Sequence, residues 1–461
     1  MQLPEKFIEQ VKRNFPAESE EMLQAIGETS PSVSVRANVA RHASVPAGAQ
    51  QVPWCPVGLY LDERPQFTFD PLWHAGMYYV QDASSMFIHH VISHLVHEPV
   101  RYLDLCAAPG GKTTAAMQAL PADSLVVANE IVGSRARVLC DNVSRWGNAA
   151  CVVTSCAPRD LGRLTHYFDV IAADVPCSGE GMMRKDDEAV SQWTPALVEQ
   201  CAERQRGIID DVWQALKPGG LFIYSTCTYN RDENELMLDY IIENYGAEPV
   251  AVPTEPSWNI HAGVDTELPC YRFLPHLTRG EGLFMAVLRK PADEPLRPVK
   301  LGKKQRTPSR TDAPRTIKQW LADEKSYAVT VAADAVTAVP RQHAQAIDIL
   351  LATVHVLQAG VEMGTIKGKN CVPSQALALS SALAADAFPA VELDYAQAIA
   401  YLRGEAITVD APRGYVLVKY GGAALGFVNN LGNRANNMYP KGLRILSSHI
   451  PETPPKVVCQ P

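Results

Sequence analysis

Between residues 100 and 290 the apolar positions fall into two alternating patterns. Short, nearly continuous apolar runs lie at 100–105, 125–130, 150–154, 168–173, 220–225 and 283–289. Runs of that length, rich in Val, Ile, Leu and Phe, predict strands buried on both faces. Longer stretches at about 112–120, 133–146, 195–216 and 232–245 space their apolar residues at helical intervals. Strand followed by helix, repeated, predicts an α/β fold with a doubly wound sheet. The turn Lys217-Pro218-Gly219-Gly220 feeds the fifth run.

The flanking regions read differently. Residues 4–27 carry Phe7, Ile8, Val11, Phe15, Met22, Leu23 and Ile26 at helical spacing, and Ser32 to Asn38 alternates like a strand. Tyr78 to Ser85 leads into a helix from about 83 to 97. Residues 1–95 therefore predict a small α/β extension before a core at 96–290. Pro291 to Pro314 is rich in Pro and charge, and 291–318 reads as a basic linker. Residues 319–395 mix helix and short strands. Residues 396–461 hold a helix, then the strand-like runs Gly414–Gly422 and Ala424–Val428, then a basic tip at 433–441. Neither an internal repeat nor a low-complexity tract is present.

Composition narrows the class. The 461 residues are 47% hydrophobic and 20% charged, enough for two or three folded domains. A transmembrane helix needs about 18 consecutive apolar residues, and no such run occurs, so no membrane association is expected. The start lacks a charged-then-apolar signal pattern, which points to the cytosol. Net charge is −8, which argues against a protein coated in positive charge. The segment 296–318 runs against that balance, with Arg297, Lys300, Lys303, Lys304, Arg306, Arg310, Arg315 and Lys318 against Asp312 alone. It reads as a solvated linker or, beside an RNA enzyme, as a phosphate-contacting strap. None of the eleven cysteines forms a CxxC pair, so no metal site is expected and the thiols are reduced.

Three motifs carry candidate chemistry. Asp104-Leu105-Cys106-Ala107-Ala108-Pro109-Gly110-Gly111-Lys112-Thr113 takes a strand through a glycine turn into a helix, where backbone can approach a ligand closely. It matches neither standard dinucleotide pattern, and alone it could be a simple turn. Glu130 closes the next strand, where an acid can accept both hydroxyls of a ribose. Two cysteine motifs then lie fifty residues apart: Asp174-Val175-Pro176-Cys177-Ser178-Gly179-Glu180-Gly181 and Tyr224-Ser225-Thr226-Cys227-Thr228-Tyr229-Asn230. Each follows a strand-like run, so each cysteine sits on a loop at a strand end. Either one alone would read as a buried structural thiol.

Together, in this order, the motifs resemble the RNA cytosine-5 methyltransferases of the Sun-domain type. The resemblance is strong over 70–290, clear over 396–450 and weak over 320–390. It implies a Rossmann-like class I methyltransferase sheet, with an N-terminal α/β extension that binds RNA and a C-terminal PUA-like β-barrel domain. It implies S-adenosylmethionine as cofactor, cradled by Cys106, Ala107, Ala108, Pro109, Gly110, Gly111 and Lys112, with Glu130 on the ribose and Asp174 near both cofactor and base. It implies Cys227 as nucleophile and Cys177 as the residue assisting release. Chemistry alone leaves that pair open, because DNA cytosine methyltransferases use the Pro-Cys cysteine as nucleophile. The implied substrate is structured RNA, with small-subunit ribosomal RNA or the small ribosomal subunit first and transfer RNA second, and the implied enzyme is a monomer. A non-catalytic RNA-binding assembly factor with the same fold is the reading from another class; cofactor binding separates the two. Arg184, Lys185, Tyr79 and Gln81 are expected along the RNA groove. One position departs from the family: Ala157 stands where an adenine-contacting Asp is expected, and Asp160 comes three residues late.

Overall fold

The computed structural model describes residues 3–293, 295–297, 299 and 310–459. Its centre is a sheet built from β1 (Arg101–Asp104), β2 (Leu125–Asn129), β3 (Cys151–Thr154), β4 (Phe168–Asp174), β5 (Leu216–Thr226), β6 (Glu248–Pro249), β7 (Cys270–Phe273), β8 (Leu283–Arg289) and β9 (Val356–Ala359). The order is β6-β8-β5-β4-β1-β2-β3-β9, with β7 paired to β8. Strands β1 to β5 run parallel, and β8 lies antiparallel on β5. The helices α1 (Gly111–Ala119), α2 (Gly133–Trp146), α3 (Pro195–Val212) and α4 (Glu235–Tyr245) connect and cover it. Apolar runs make these strands because both faces are covered. Leu125, Val126, Val127 and Ala128 are buried on β2, and one core lies on each side of the sheet. Strand order reverses between β1 and β4, which opens a crevice at their carboxyl ends.

The N-terminal extension is more divided than its apolar spacing predicts. One helix over 4–27 is expected; two form, Glu5–Asn14 and Ser19–Glu28. Pro16 explains the break, since it lacks an N–H and disfavours helix in the residue before it. A four-stranded sheet follows, in the order Gln51–Val52, Cys55–Leu61, Val33–Ala37, Tyr78–Val80.

The stretch expected as linker is already structured at its end: Thr311–Asp312 pairs into an antiparallel sheet with Tyr327–Ala332, Ala335–Pro340, Val361–Lys367 and Asn370–Pro373. Between its members the chain leaves to contribute β9 to the edge of the central sheet. The C-terminal sheet contains Ala390–Glu392, Gly414–Tyr420, Ala423–Asn430 and Ala435–Asn437. Of the basic linker, Lys300, Lys303, Lys304 and Arg306 lie outside the described residues. Arg310 pairs with Asp348 at 3.1 Å, and Lys318 with Asp312 at 2.6 Å.

The C-terminal sheet shares one core with the N-terminal sheet. Tyr401, Leu402, Val418 and Leu425 pack in the same cluster as Val35, Leu59, Leu72 and Tyr78. Cys459 pairs with Ser44. A chain ending at Lys290 should therefore be destabilised by more than about 5 kcal/mol, since each large apolar side chain uncovered costs about 1.5–3 kcal/mol. Thermal denaturation and size-exclusion chromatography check this. A melting temperature equal to that of the full chain would show that the two modules fold independently.

Candidate active site

The two cysteine motifs leave neighbouring strands. Cys177 follows β4 and Cys227 follows β5, and these strands pair in register up to Asp174 and Ser225. The loops bring Cys177 Sγ and Cys227 Sγ to 3.1 Å, in hydrogen-bond contact. The Cys227 N–H also donates to Cys177 Sγ at 3.4 Å. The hydrogen bond with Cys227, burial, and the nearby charges hold the Cys177 thiol well above the usual cysteine range. Cys177 is thus held as a thiol.

Asp174 ends β4 and joins the cysteines to the glycine loop. Its Oδ2 accepts from Lys112 Nζ at 2.9 Å, and its Oδ1 from Ser225 Oγ at 2.8 Å. Burial would lower the Lys112 ammonium, but Asp174, with help from Cys227 and Asp104, outweighs it and raises the pKa. Lys112 is therefore a firm cation at the first turn of α1. Asp104 is buried and accepts from Thr113 Oγ1 at 2.6 Å; burial pushes its carboxyl up to about 7. Cys106 lies among Asp174, Asp104 and Glu130, and burial followed by those three charges raises its thiol.

The glycine loop crosses the carboxyl ends of β1 and β2, with Ala107 N donating to Asn129 O at 2.8 Å. Gly110 has φ +111°, a conformation that disfavours any side chain. Its flanks are fixed by Asn142 Nδ2 to Pro109 O, 2.7 Å, and Arg135 to Ala108 O, 2.9 Å. Glu130 is 3% exposed at the end of β2. Its Oε1 accepts from Val132 N at 2.9 Å and its Oε2 faces Arg135 at 3.3 Å. Each oxygen keeps a further lone pair, which suits a pair of ribose hydroxyls.

Sequence reasoning missed the parts that hold these loops. Glu180 is fully buried and accepts from Tyr229 N (2.6 Å), Asn230 N (3.0 Å), Asn230 Nδ2 (3.0 Å), Trp193 Nε1 (3.1 Å) and, from the first N-terminal helix, Gln10 Nε2 (2.8 Å). Glu233 reaches the other way to Ser178 N at 3.0 Å. Each cysteine loop thus carries a carboxylate that straps the other. Gly181 suits the crossing, because a Cβ there would crowd Cys227 O at 3.0 Å and Glu281 O at 3.1 Å. Glu180 stands inside the first motif and Glu233 just past the second, so the residues were visible but the pairing was not.

Arg36, fully buried on the N-terminal sheet, donates to Thr114 Oγ1 (2.6 Å) and Gln81 Oε1 (2.8 Å) and stacks 4.5 Å from the Trp146 ring. Tyr79 and Gln81, expected along an RNA groove, pack instead behind Gly111, where a Cβ would meet them at 3.4 and 3.5 Å. They back the glycine loop because Tyr78–Val80, which carries Tyr79 and leads directly into Gln81, pairs with the strand carrying Arg36. Arg184, also expected there, donates to Gly280 O (2.5 Å) and Thr29 Oγ1 (2.8 Å). Lys185 pairs with Glu281 at 2.5 Å and stays partly exposed. Ala157 precedes the short helix Pro158–Gly162, and Asp160 turns to Arg163 at 3.3 Å. Among the described residues no group of three or more His, Cys, Asp or Glu could hold a metal, and no helix is long and apolar enough to cross a membrane.

A parallel sheet with its switch point beside a glycine loop, an acid closing β2 and an antiparallel β8 defines a Rossmann-like methyltransferase. Family models agree along the chain: 16S rRNA methyltransferase RsmB/F over 94–289, the N-terminal domain of 16S rRNA methyltransferase RsmF over 3–83, and the methyltransferase RsmF PUA domain over 388–445. Ribosomal RNA small subunit methyltransferase F of Klebsiella pneumoniae is 32% identical, covering 95% of this chain and 96% of its own. The Shewanella loihica protein of the same name is 32% identical over 86% and 83%. The chain belongs to the ribosomal RNA small subunit methyltransferase F family. A solved methyltransferase homologue from Pyrococcus horikoshii shares the fold, with TM-score 0.54 and 24% identity over 62% of this chain and 95% of that one. The structure of NSun6 from Pyrococcus horikoshii with SFG has TM-score 0.54 and 19% identity, over 63% of this chain and 99% of that one.

The cofactor of this class is S-adenosylmethionine, and the residues present fit it. Glu130 and Asp174 are acceptors for hydroxyl and ammonium groups, and the glycine loop offers backbone between them. Glu130→Ala should weaken cofactor binding by about 1–3 kcal/mol, the cost of leaving buried polar groups unpaired. Titration calorimetry reads this directly. Unchanged affinity would remove Glu130 from the ribose.

Proposed function

We propose that this chain methylates carbon 5 of a cytosine in small-subunit ribosomal RNA through a covalent cysteine adduct. The observation that carries the reading is the Cys177–Cys227 contact at 3.1 Å, joined through Asp174 to Lys112 in the glycine loop. The substrate class is supported by the relatives, which are ribosomal RNA small subunit methyltransferases.

Cytosine carbon 5 is a poor nucleophile because the ring is electron-poor. Cys227 Sγ adds to carbon 6, and carbon 5 becomes the nucleophilic end of an enamine. Asp174, held in place by Lys112, contacts the base by accepting from its exocyclic amino group, and water donates to ring nitrogen 3 as charge develops there. Bound S-adenosylmethionine supplies an electrophilic methyl group. The carbon 5 proton then leaves to solvent, the electron pair expels Cys227 Sγ, and Cys177 offers the departing sulfur a hydrogen-bond donor. A base must leave its stack to reach these groups, so an accessible loop or melted helix reacts best. In this reading 96–290 is the catalytic core, 396–461 places RNA, 1–95 adds contacts to it, 291–318 is a basic strap and 319–395 an intermediate module. The cytosolic setting and monomeric state expected from the sequence are part of the same proposal.

Labelled cofactor, the full chain and small-subunit RNA, followed by nucleoside analysis, test this. The expected product is 5-methylcytidine. Label on another atom, or none, overturns the reading.

A further inference from the structure

We propose that His355, carried to the central sheet by β9, contacts the adenine of the methyl donor and sets selectivity for it. The inference rests on the reading that this crevice holds S-adenosylmethionine.

Glu130 ends β2. A ribose on that acid places its base one strand further out, over the end of β3 and residues 155–157. Of that rim's own side chains only the Ser155 hydroxyl is uncommitted, and a hydroxyl both donates and accepts, so it does not tell an amino group from an oxo group. Ala157 has no polar group, and Asp160 is turned to Arg163. Asn129 is committed: its Oδ1 accepts from Thr154 Oγ1 (2.8 Å), Cys156 N (3.1 Å) and Cys156 Sγ (3.3 Å), and its Nδ2 donates to Leu105 O and Cys156 O, both 3.1 Å. Burial pushes the Cys156 thiol up to about 11, so it stays protonated.

The fold brings another group from two hundred residues away. Strand β9 lies antiparallel on β3, pairing Val356 with Thr154 and Ala359 with Val152. Gln358 exchanges hydrogen bonds with Ser144 at 3.1 and 3.2 Å, and Gly360 N donates to Cys151 O at 2.8 Å. Just before the strand, His355 O accepts from Ser155 N at 2.9 Å. The exposed His355 ring places Nδ1 3.3 Å from Ser155 O. A carbonyl can only accept, so Nδ1 carries the hydrogen and Nε2 of the neutral ring is an acceptor. An acceptor at this rim matches the exocyclic amino group of adenine, as the absent carboxylate at 157 would. It mismatches the 6-oxo group of hypoxanthine.

Calorimetry on the full chain with S-adenosylhomocysteine and with S-inosylhomocysteine tests the assignment. Wild type should prefer the adenosyl ligand. His355→Ala should lose about fivefold in affinity for it, one hydrogen bond's worth, and leave the inosyl ligand unchanged, so the preference shrinks. Ala157→Asp in the His355→Ala background should restore the preference. A role confined to holding β9 would weaken both ligands alike, and an unchanged ratio in His355→Ala overturns the proposal. Wild type that binds neither ligand overturns the methyl-donor reading and this one together.

Discussion

Cys227→Ala should abolish methyl transfer and form no covalent RNA adduct, whereas Cys177→Ala should form the adduct and keep it. The two residues share one contact at 3.1 Å, and the proposed mechanism gives each a role of its own. Cys177 is held as a thiol by its hydrogen bond to Cys227 and by burial. A group so held is a poor nucleophile, because the thiolate is the attacking form. It is well suited to meet the sulfur that leaves. Removing Cys227 deletes the bond-forming atom, and activity should fall to background. Removing Cys177 leaves addition intact and slows elimination. Both variants and wild type, incubated with RNA and cofactor, would be run on a denaturing gel. An adduct with Cys227→Ala and none with Cys177→Ala would reverse the roles. No adduct with either, beside an active wild type, would remove covalent catalysis.

Glu180→Ala should be the most damaging change that touches neither sulfur. It leaves five donors from four residues without their acceptor in a dry interior. Each buried neutral donor left unpaired costs about 1–3 kcal/mol. The loss also reaches catalysis, because Tyr229 and Asn230 anchor the loop that carries Cys227. A displacement of about 1 Å there can cost about a hundredfold in rate. Urea unfolding and single-turnover methyl transfer measure the two effects, with the exposed Glu188→Ala as the comparison. Stability within about 1 kcal/mol of wild type and unchanged turnover would mean that the loops are held by other contacts.

How much of this was legible in the sequence depended on range. The alternation of apolar runs named every strand from β1 to β5 and the final β8, because a strand buried on both faces has a local signature. The glycine loop, Glu130, Asp174 and both cysteines were legible for the same reason: each motif spans a few residues at a strand end. Pro16 was there to be read as a helix break but was masked by apolar spacing that ran through it. The partners of Arg184, Tyr79 and Gln81 were not legible. A polar residue in a loop has the same local pattern whether it meets a phosphate or a buried carbonyl.

The sequence by itself determined the sheet, its crevice and the residue types in it, since period-two and continuous apolar runs select elements by burial alone. Tertiary structure alone decided which groups meet. It set the 3.1 Å sulfur contact, the crossed carboxylates Glu180 and Glu233, the buried Arg36 behind the glycine loop, and β9 on the edge of β3. Those contacts join residues 49 to 207 positions apart. Their energy comes from desolvated pairing, which leaves no periodic trace along the chain.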